Sequence, residues 1–347
     1  MLETGSLGLV EPVLVFLLAF GAAILLTPVA HQLSRRWGIV ALPGGRRQHP
    51  GAVPKLGGLP LFVAFLAGAL LAWYLMPPEG DDARRLQGVL LGSLIMFAGG
   101  LIDDRWELAA VPQFLIQFAG AAVAMAHLIF IELFTNPLSG KIEQLPFWFA
   151  LLITLLWLVG MINAVNWLDG LDGLAAGVGG IAALLFAWHS HVLGQTTVAL
   201  FPLALAGALG GFLLFNFYPA RIFLGTAGAY FLAYNLATLA ILSPAKIATA
   251  LLVLAVPILD GIWLVIDRLR QGHNPMQGDR GHLHFRLVDR GWPIPWIVIG
   301  YYAVALLFGL AAIFATGLTK LILLSLWAAL VLGLLVQLSW RGVRSEE

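Results

Sequence analysis

Asn163-Ala-Val-Asn166-Trp-Leu-Asp169-Gly-Leu-Asp172-Gly173 is a polar run between two apolar stretches, Phe147 to Val165 and Leu174 to Trp188. About 20 mostly apolar residues suffice to cross a bilayer, so the run reads as the junction of two membrane spans. Carboxylates at a membrane boundary are costly to place, and two Asn with two Asp in so short a stretch point to a function. Gly170 and Gly173 permit a tight turn. Asp169 alone could be a helix N-cap, since Asp is favoured there, but capping does not account for all four polar groups.

The rest of the chain agrees with a membrane setting. Its 347 residues are 60% hydrophobic and only 11% charged, with a mean hydropathy of +0.92. Soluble domains carry roughly 25% charged residues, which excludes that class. There is no cysteine, and therefore neither a disulfide nor a thiolate metal site. The expected fold is an all-α polytopic membrane protein, a single integral-membrane domain over residues 1–347. Eleven spans are predicted: 12–30, 57–77, 86–102, 112–134, 146–166, 174–192, 197–216, 222–241, 246–267, 294–316 and 318–339. The first is preceded by Glu3 and Glu11, not by a basic region, and reads as a span and not as a cleavable leader.

Basic residues orient the spans. Arg35, Arg36, Arg46, Arg47, Lys55, Arg105, Arg221, Arg268, Arg270, Arg280, Arg286, Arg290, Arg341 and Arg344 fall on one side, and Arg84, Arg85, Lys141, Lys246 and Lys320 on the other. The richer side is predicted to be cytoplasmic, with the N-terminus outside and the C-terminus inside. Five polar segments fall on that side: Gly44–Gly58, Asp103-Asp104, Asn163–Asp172, Asn216–Gly228 and Asp279–His284. The sequence thus predicts one site on the cytoplasmic face. A transporter would place its polar groups near mid-membrane, often in repeated halves, and no such repeat is evident.

Each segment has an ordinary reading beside the functional one. Asp103-Asp104 with Arg105 can be a solvated helix end, but paired with a second acidic cluster it suits a hard cation such as Mg²⁺, which binds through one or two carboxylates plus substrate phosphates. Asn216 to Gly228 is a polar turn opening a helix, suited to an anion, or a loop anchored by Arg221. His282 and His284 beside Arg280 suit phosphate oxygens. They could also ligate zinc, although no third nitrogen or thiolate is near apart from His273, or belong to a basic loop touching anionic lipid. Arg46, Arg47, His49 and Lys55 can grip phosphate or serve as positive-inside anchors. Together the acids, arginines and histidines meet the needs of phosphoryl transfer at a membrane surface, with one soluble and one lipid substrate.

These motifs resemble the polyprenyl-phosphate N-acetylhexosamine-1-phosphate transferase family. The resemblance covers about residues 12–339 and rests on Arg46-Arg47-x-His49, Gly57-Gly58, Asp103-Asp104, Asn163-x-x-Asn166-x-x-Asp169-Gly-x-Asp172-Gly-Leu, Asn216-Phe-x-Pro219-Ala, Pro257-x-x-Asp260 and Asp279-Arg280-x-His282-x-His284. The Arg-Arg-x-His and His-x-His loops look like the GlcNAc-1-phosphate branch. The resemblance implies that undecaprenyl phosphate attacks the β-phosphorus of a UDP-N-acetylhexosamine, releasing UMP, with Mg²⁺ (Mn²⁺ as the alternative) on the diphosphate. It implies catalytic roles for Asp103, Asp104, Asp169 and His282, metal binding by Asp104 and Asp172, and substrate binding by Arg46, Arg47, His49, Lys55, Asn163, Asn166, Asn216, Asp260, Arg280 and His284. It further implies the plasma (inner) membrane, surrounding lipid and a homodimer; no nucleic-acid partner is expected.

Four positions depart from the family pattern. Thr226 stands where an Asp metal ligand is usual, Ala41 where an acid is usual, Gln113 where a lysine is usual, and Phe285 where a third histidine is usual. Two function classes therefore compete: an active transferase, and a catalytically impaired relative that binds lipid phosphate or nucleotide without turnover.

Overall fold

The computed structural model describes residues 8, 10–42, 51–136, 141–242, 244–272, 280–315 and 317–343. Among them the chain runs α1 (Val10–Arg36), β1 (Val40–Ala41), β2 (Val53–Pro54), α2 (Gly58–Leu75), α3 (Gly80–Trp106), α4 (Ala110–Ala126), β3 (Leu133–Thr135), β4 (Ile142–Gln144), α5 (Phe147–Leu168), α6 (Leu174–Val192), α7 (Thr196–Asn216), α8 (Gly225–Ile241), α9 (Pro244–Val253), α10 (Ala255–Arg270), α11 (Leu283–Asp289), α12 (Ile294–Phe314) and α13 (Gly317–Val343). The strands form two antiparallel pairs, β1 with β2 and β3 with β4.

Helix α8 is the centre of the bundle. It is buried without interruption from Ala227 to Ile241, as expected of a helix that is apolar on every side. Helices α2, α3, α5 and α9 pack around it. Two of its polar side chains tie it to α3: Tyr234 Oη donates to Gly88 O at 2.9 Å and Asn235 Nδ2 to Ser93 Oγ at 2.8 Å. Helices α1 and α7 pack through small residues. A methyl carbon on Gly207 would lie 2.5 Å from Phe16 O, and one on Gly211 2.4 Å from Phe20 O. Where lipid offers no hydrophobic drive between helices, such small-xxx-small contacts supply the packing.

Helix underlies each of the eleven predicted stretches. By length and composition, 7 of the described helices can cross a membrane, or up to 8 if the bent pair in α9–α10 is one span. The chain is thus an all-α polytopic membrane protein. Two stretches differ in form from the reading. The span predicted over 112–134 ends as helix at Ala126, because residues of α3 cap it: Arg84 Nη2 donates to Ala126 O at 2.9 Å and Arg85 Nε to Leu128 O at 3.1 Å. Leu128 then takes φ +60° and the chain leaves for the β3–β4 hairpin. The stretch over 246–267 is broken at Leu254 with a bend of 72°. Pro257 lies in the first turn after the break; it has no N–H, and its ring would clash with the carbonyl of residue 253 in a continuous helix.

The C-terminal ends of α3, α5 and α7 and the N-terminal ends of α6, α8 and α12 all open into one cavity at one end of the bundle. The loop after α1 and the segment before α11 close its sides.

Candidate functional site

The cavity has a volume of about 1000 Å³. Lys55, Asp103, Asp104, Asn166, Asp169, Asp172, Asn216, Arg280 and His282 line it. Residues from five separated parts of the chain are therefore brought together. Asn163, Asp260 and His284 stand behind this lining, and Arg46, Arg47 and His49 lie outside the described residues, as does Asp279.

Asp104 ties three elements together. Its Oδ1 accepts the N–H of Thr226 and its Oδ2 the N–H of Ala227, each at 3.0 Å. The carboxylate thereby satisfies two of the N–H groups left open at the start of α8 and places negative charge at the positive end of that helix. Lys55 Nζ lies 3.8 Å from Asp104 Oδ1. Gly225 makes this approach feasible. It has φ +74°, and a methyl carbon on it would lie 2.4 Å from Lys55 O and 2.7 Å from Asp104 Oδ2. Gly225→Ala is therefore expected to destabilise the protein by roughly 1–3 kcal/mol, seen as a lower melting temperature in detergent.

Asp103 is held differently. Its Oδ1 accepts the N–H of Leu108 at 3.0 Å and Gln113 Nε2 at 2.9 Å, and Gln113 also donates to Leu108 O at 3.1 Å. The turn after α3, with Glu107 at φ +47°, folds back to make these bonds. Both donors are neutral, so the orientation of Asp103 is fixed without cancelling its charge.

Across the cavity, Asp172 Oδ2 accepts the N–H of Ala220 at 2.8 Å. Asn216 Nδ2 donates to Ile222 O at 3.0 Å and closes the same loop. Asp169 is the C-cap of α5, whereas Gly173 is the N-cap of α6, so the capping role open to Asp169 in the sequence is not the one it takes. Asp103, Asp104 and Asp169 thus all sit at C-terminal ends of helices, where the macrodipole disfavours an anion. For Asp104 the N-terminal end of α8 and Lys55 offset that cost.

On the third side, His282 Nδ1 donates to Asp260 Oδ2 at 2.8 Å, and Asp260 Oδ1 accepts the N–H of Leu283 at 3.0 Å. The His282 and His284 rings are parallel, with centroids 5.7 Å apart. Arg280 pairs with Asp289 and lies over the Phe285 ring. Asn163 is bonded to Gln117, whose Oε1 accepts its Nδ2 at 2.8 Å. Lining residues to which the sequence reading gave no part include Trp167, Tyr218 and Phe223. The only signal for them was their position inside motifs chosen for their charges.

The charge balance bears on a metal. Among the described residues the cavity is lined by five carboxylates (Asp103, Asp104, Glu107, Asp169, Asp172) and two permanent cations (Lys55, Arg280). A phosphate anion entering it meets repulsion unless a cation comes too. No three His, Cys, Asp or Glu side chains among the described residues form a metal-holding group, so none forms a zinc-type cage. The donor set instead fits a hard cation that takes one or two carboxylates and fills its shell with water and substrate phosphate. Asp104 and Asp172 each keep lone pairs beyond those given to backbone N–H groups.

Residues 86–244 match the family model described as glycosyl transferase family 4. A Bacillus subtilis (strain 168) protein named probable undecaprenyl-phosphate N-acetylglucosaminyl 1-phosphate transferase is 30% identical over 336 residues, covering 95% of this chain and 91% of that protein. The chain belongs to glycosyl transferase family 4. Within the family it is similar to two further proteins. One is a decaprenyl-phosphate N-acetylglucosaminephosphotransferase of Mycolicibacterium smegmatis, 31% identical over 75% of this chain and 71% of its own. The other is an undecaprenyl-phosphate alpha-N-acetylglucosaminyl 1-phosphate transferase of Haemophilus influenzae, 32% identical over 80% of this chain and 78% of its own. The family match spans the end of α3, the Asn163–Gly173 run and the start of α8, and all five carboxylates named above lie within it, as does the turn from Asn216 to Gly225.

Proposed function

We propose that this family 4 glycosyl transferase moves GlcNAc-1-phosphate from UDP-GlcNAc to undecaprenyl phosphate, releasing UMP, as the first step of lipid-linked cell-envelope glycan synthesis. The observation that carries the proposal is the acidic cavity at the end of a membrane-spanning bundle, lined by Asp103, Asp104 and Asp172. The names of the relatives point to the same acceptor and sugar.

In the proposed reaction an oxygen of the lipid phosphate attacks the β-phosphorus of the donor. A new P–O bond forms, the bond from the β-phosphorus to the bridging oxygen breaks, and the electron pair leaves with UMP. Asp103, oriented through one oxygen by neutral donors, positions the attacking phosphate or takes its proton. Asp104 and Asp172 would hold Mg²⁺, or Mn²⁺ in its place. Such an ion, when bound, neutralises the charge of the diphosphate. Lys55 and Arg280 add positive charge on two sides. Asp169 supports the uridine or the metal, and His282, oriented by Asp260, binds the donor. In the membrane we place eleven spans, the N-terminus outside and the cavity at the cytoplasmic face of the plasma membrane, from the distribution of basic residues.

A UMP-release assay on detergent-purified protein with a panel of UDP-N-acetylhexosamines tests the proposal. UMP is expected with UDP-GlcNAc only when lipid phosphate and Mg²⁺ are both present. No UMP with any donor would leave the second reading, a relative that binds without turnover, which Thr226 favours. Thr226 lies beside Asp104 and brings no carboxylate. Thr226→Asp is expected to lower the Mg²⁺ concentration needed for half-maximal rate by about tenfold, measured by titration of the same assay, since one added carboxylate raises the ligand count of a hard-cation site.

A further inference from the structure

The reaction outlined above gives no part to Trp167, although the indole stands in the middle of the Asn163–Gly173 run and lines the cavity. It sits in the last turn of α5 and is half-buried. Its six-membered ring lies close over the backbone of α10: a methyl carbon on Gly261 would come within 2.4 Å of Trp167 Cζ3. On another side is the His282 ring, its centroid 5.8 Å away and its plane tilted by 32°. The indole is thus set by two other elements, α10 and the start of α11, and forms a fixed wall.

The polar groups that line the cavity with it include donors such as Arg280 as well as acceptors. Asp169 offers only acceptor oxygens when ionised. His282 bonds to Asp260 through Nδ1, which leaves Nε2 for another partner. Asn166 offers one acceptor and two donor hydrogens. An apolar face with polar groups beside it matches a saturated ring that is apolar on its C–H face and carries hydroxyl and amide groups at its edge.

We propose that Trp167 is a specificity-determining wall for the N-acetylhexosamine ring of the donor, with His282 and Asn166 beside its edge. The inference rests on the reading of the protein as a UDP-sugar transferase and adds where the sugar sits.

The test compares UDP-GlcNAc with UMP, which share the nucleotide and differ in the sugar. Trp167→Leu is expected to raise KM for UDP-GlcNAc roughly tenfold while the inhibition constant of UMP stays within about twofold, because only the sugar loses its aromatic contact. Trp167→Phe, the milder change, is expected to shift KM in the same direction by less. Gly261→Ala, which displaces the indole without removing it, is expected to move KM and not UMP inhibition. A rise in the UMP constant in step with KM would place the base or a general distortion at this wall and overturn the inference, as would an unchanged KM in Trp167→Leu. In either case wild-type turnover of UDP-GlcNAc keeps the transferase reading intact. Absence of turnover by the wild type with every UDP-N-acetylhexosamine would remove both.

Discussion

Asp103→Asn is expected to lower UMP release by about 10²–10⁴-fold while leaving the melting temperature and the affinity for UMP near those of the wild type, the range associated with loss of a positioned acid or base. The bonds explain the selectivity. Asp103 uses Oδ1 to accept both Leu108 N–H and Gln113 Nε2. An asparagine oxygen can keep both bonds, so the turn after α3 retains its form. Only the negative charge and the acceptor capacity of the second oxygen are lost. The rate effect should therefore fall on kcat, with a smaller change in KM for UDP-GlcNAc. A variant that lost stability and rate together would show that Asp103 holds the turn and does nothing further.

Asp104→Ala should lose both. Asp104 is 4% exposed, receives two N–H groups of α8 and faces Lys55. Its removal strands two helix N-terminal donors and a lysine that is itself only 8% exposed. Loss of a cap costs about 1 kcal/mol, and leaving a buried charge unpartnered costs more. A destabilisation of roughly 2–4 kcal/mol is expected, read as a fall in melting temperature, together with UMP release below detection. Asp104→Asn should separate the two effects. One amide oxygen can still accept an N–H from α8, so stability returns in part while the charge needed at the metal does not. Recovery of full activity in Asp104→Asn would contradict a metal role for this residue.

The two aspartates are adjacent in sequence and look alike there. The fold distinguishes them through partners that no spacing rule announces: Gln113 in α4 for one, and the backbone of residues 226 and 227 for the other. Gln113 and Thr226 were visible in the sequence as departures from a pattern, and the structure supplies their contacts. The bundle itself was more legible, because long apolar runs need few tertiary contacts to be read as helix. The end of α4 was not, since Arg84 and Arg85 from α3 cap it from far along the chain. The break at Leu254 had a local signal in Pro257, yet hydropathy alone runs straight through it. Trp167 escaped notice because an aromatic residue in an apolar chain is ordinary until its neighbours are known. Asp260 matched a motif by spacing, and only the fold shows that its oxygens fix both His282 and the start of α11.

The central claim is that the group transferred is a sugar phosphate, not a bare sugar. It is tested most directly with UDP-GlcNAc carrying a phosphorus label in its β-phosphate alone, incubated with the purified protein, undecaprenyl phosphate and Mg²⁺. The account predicts that the label appears in the lipid product and that the released nucleotide is unlabelled UMP. Label released as UDP, with sugar alone on the lipid, would contradict it.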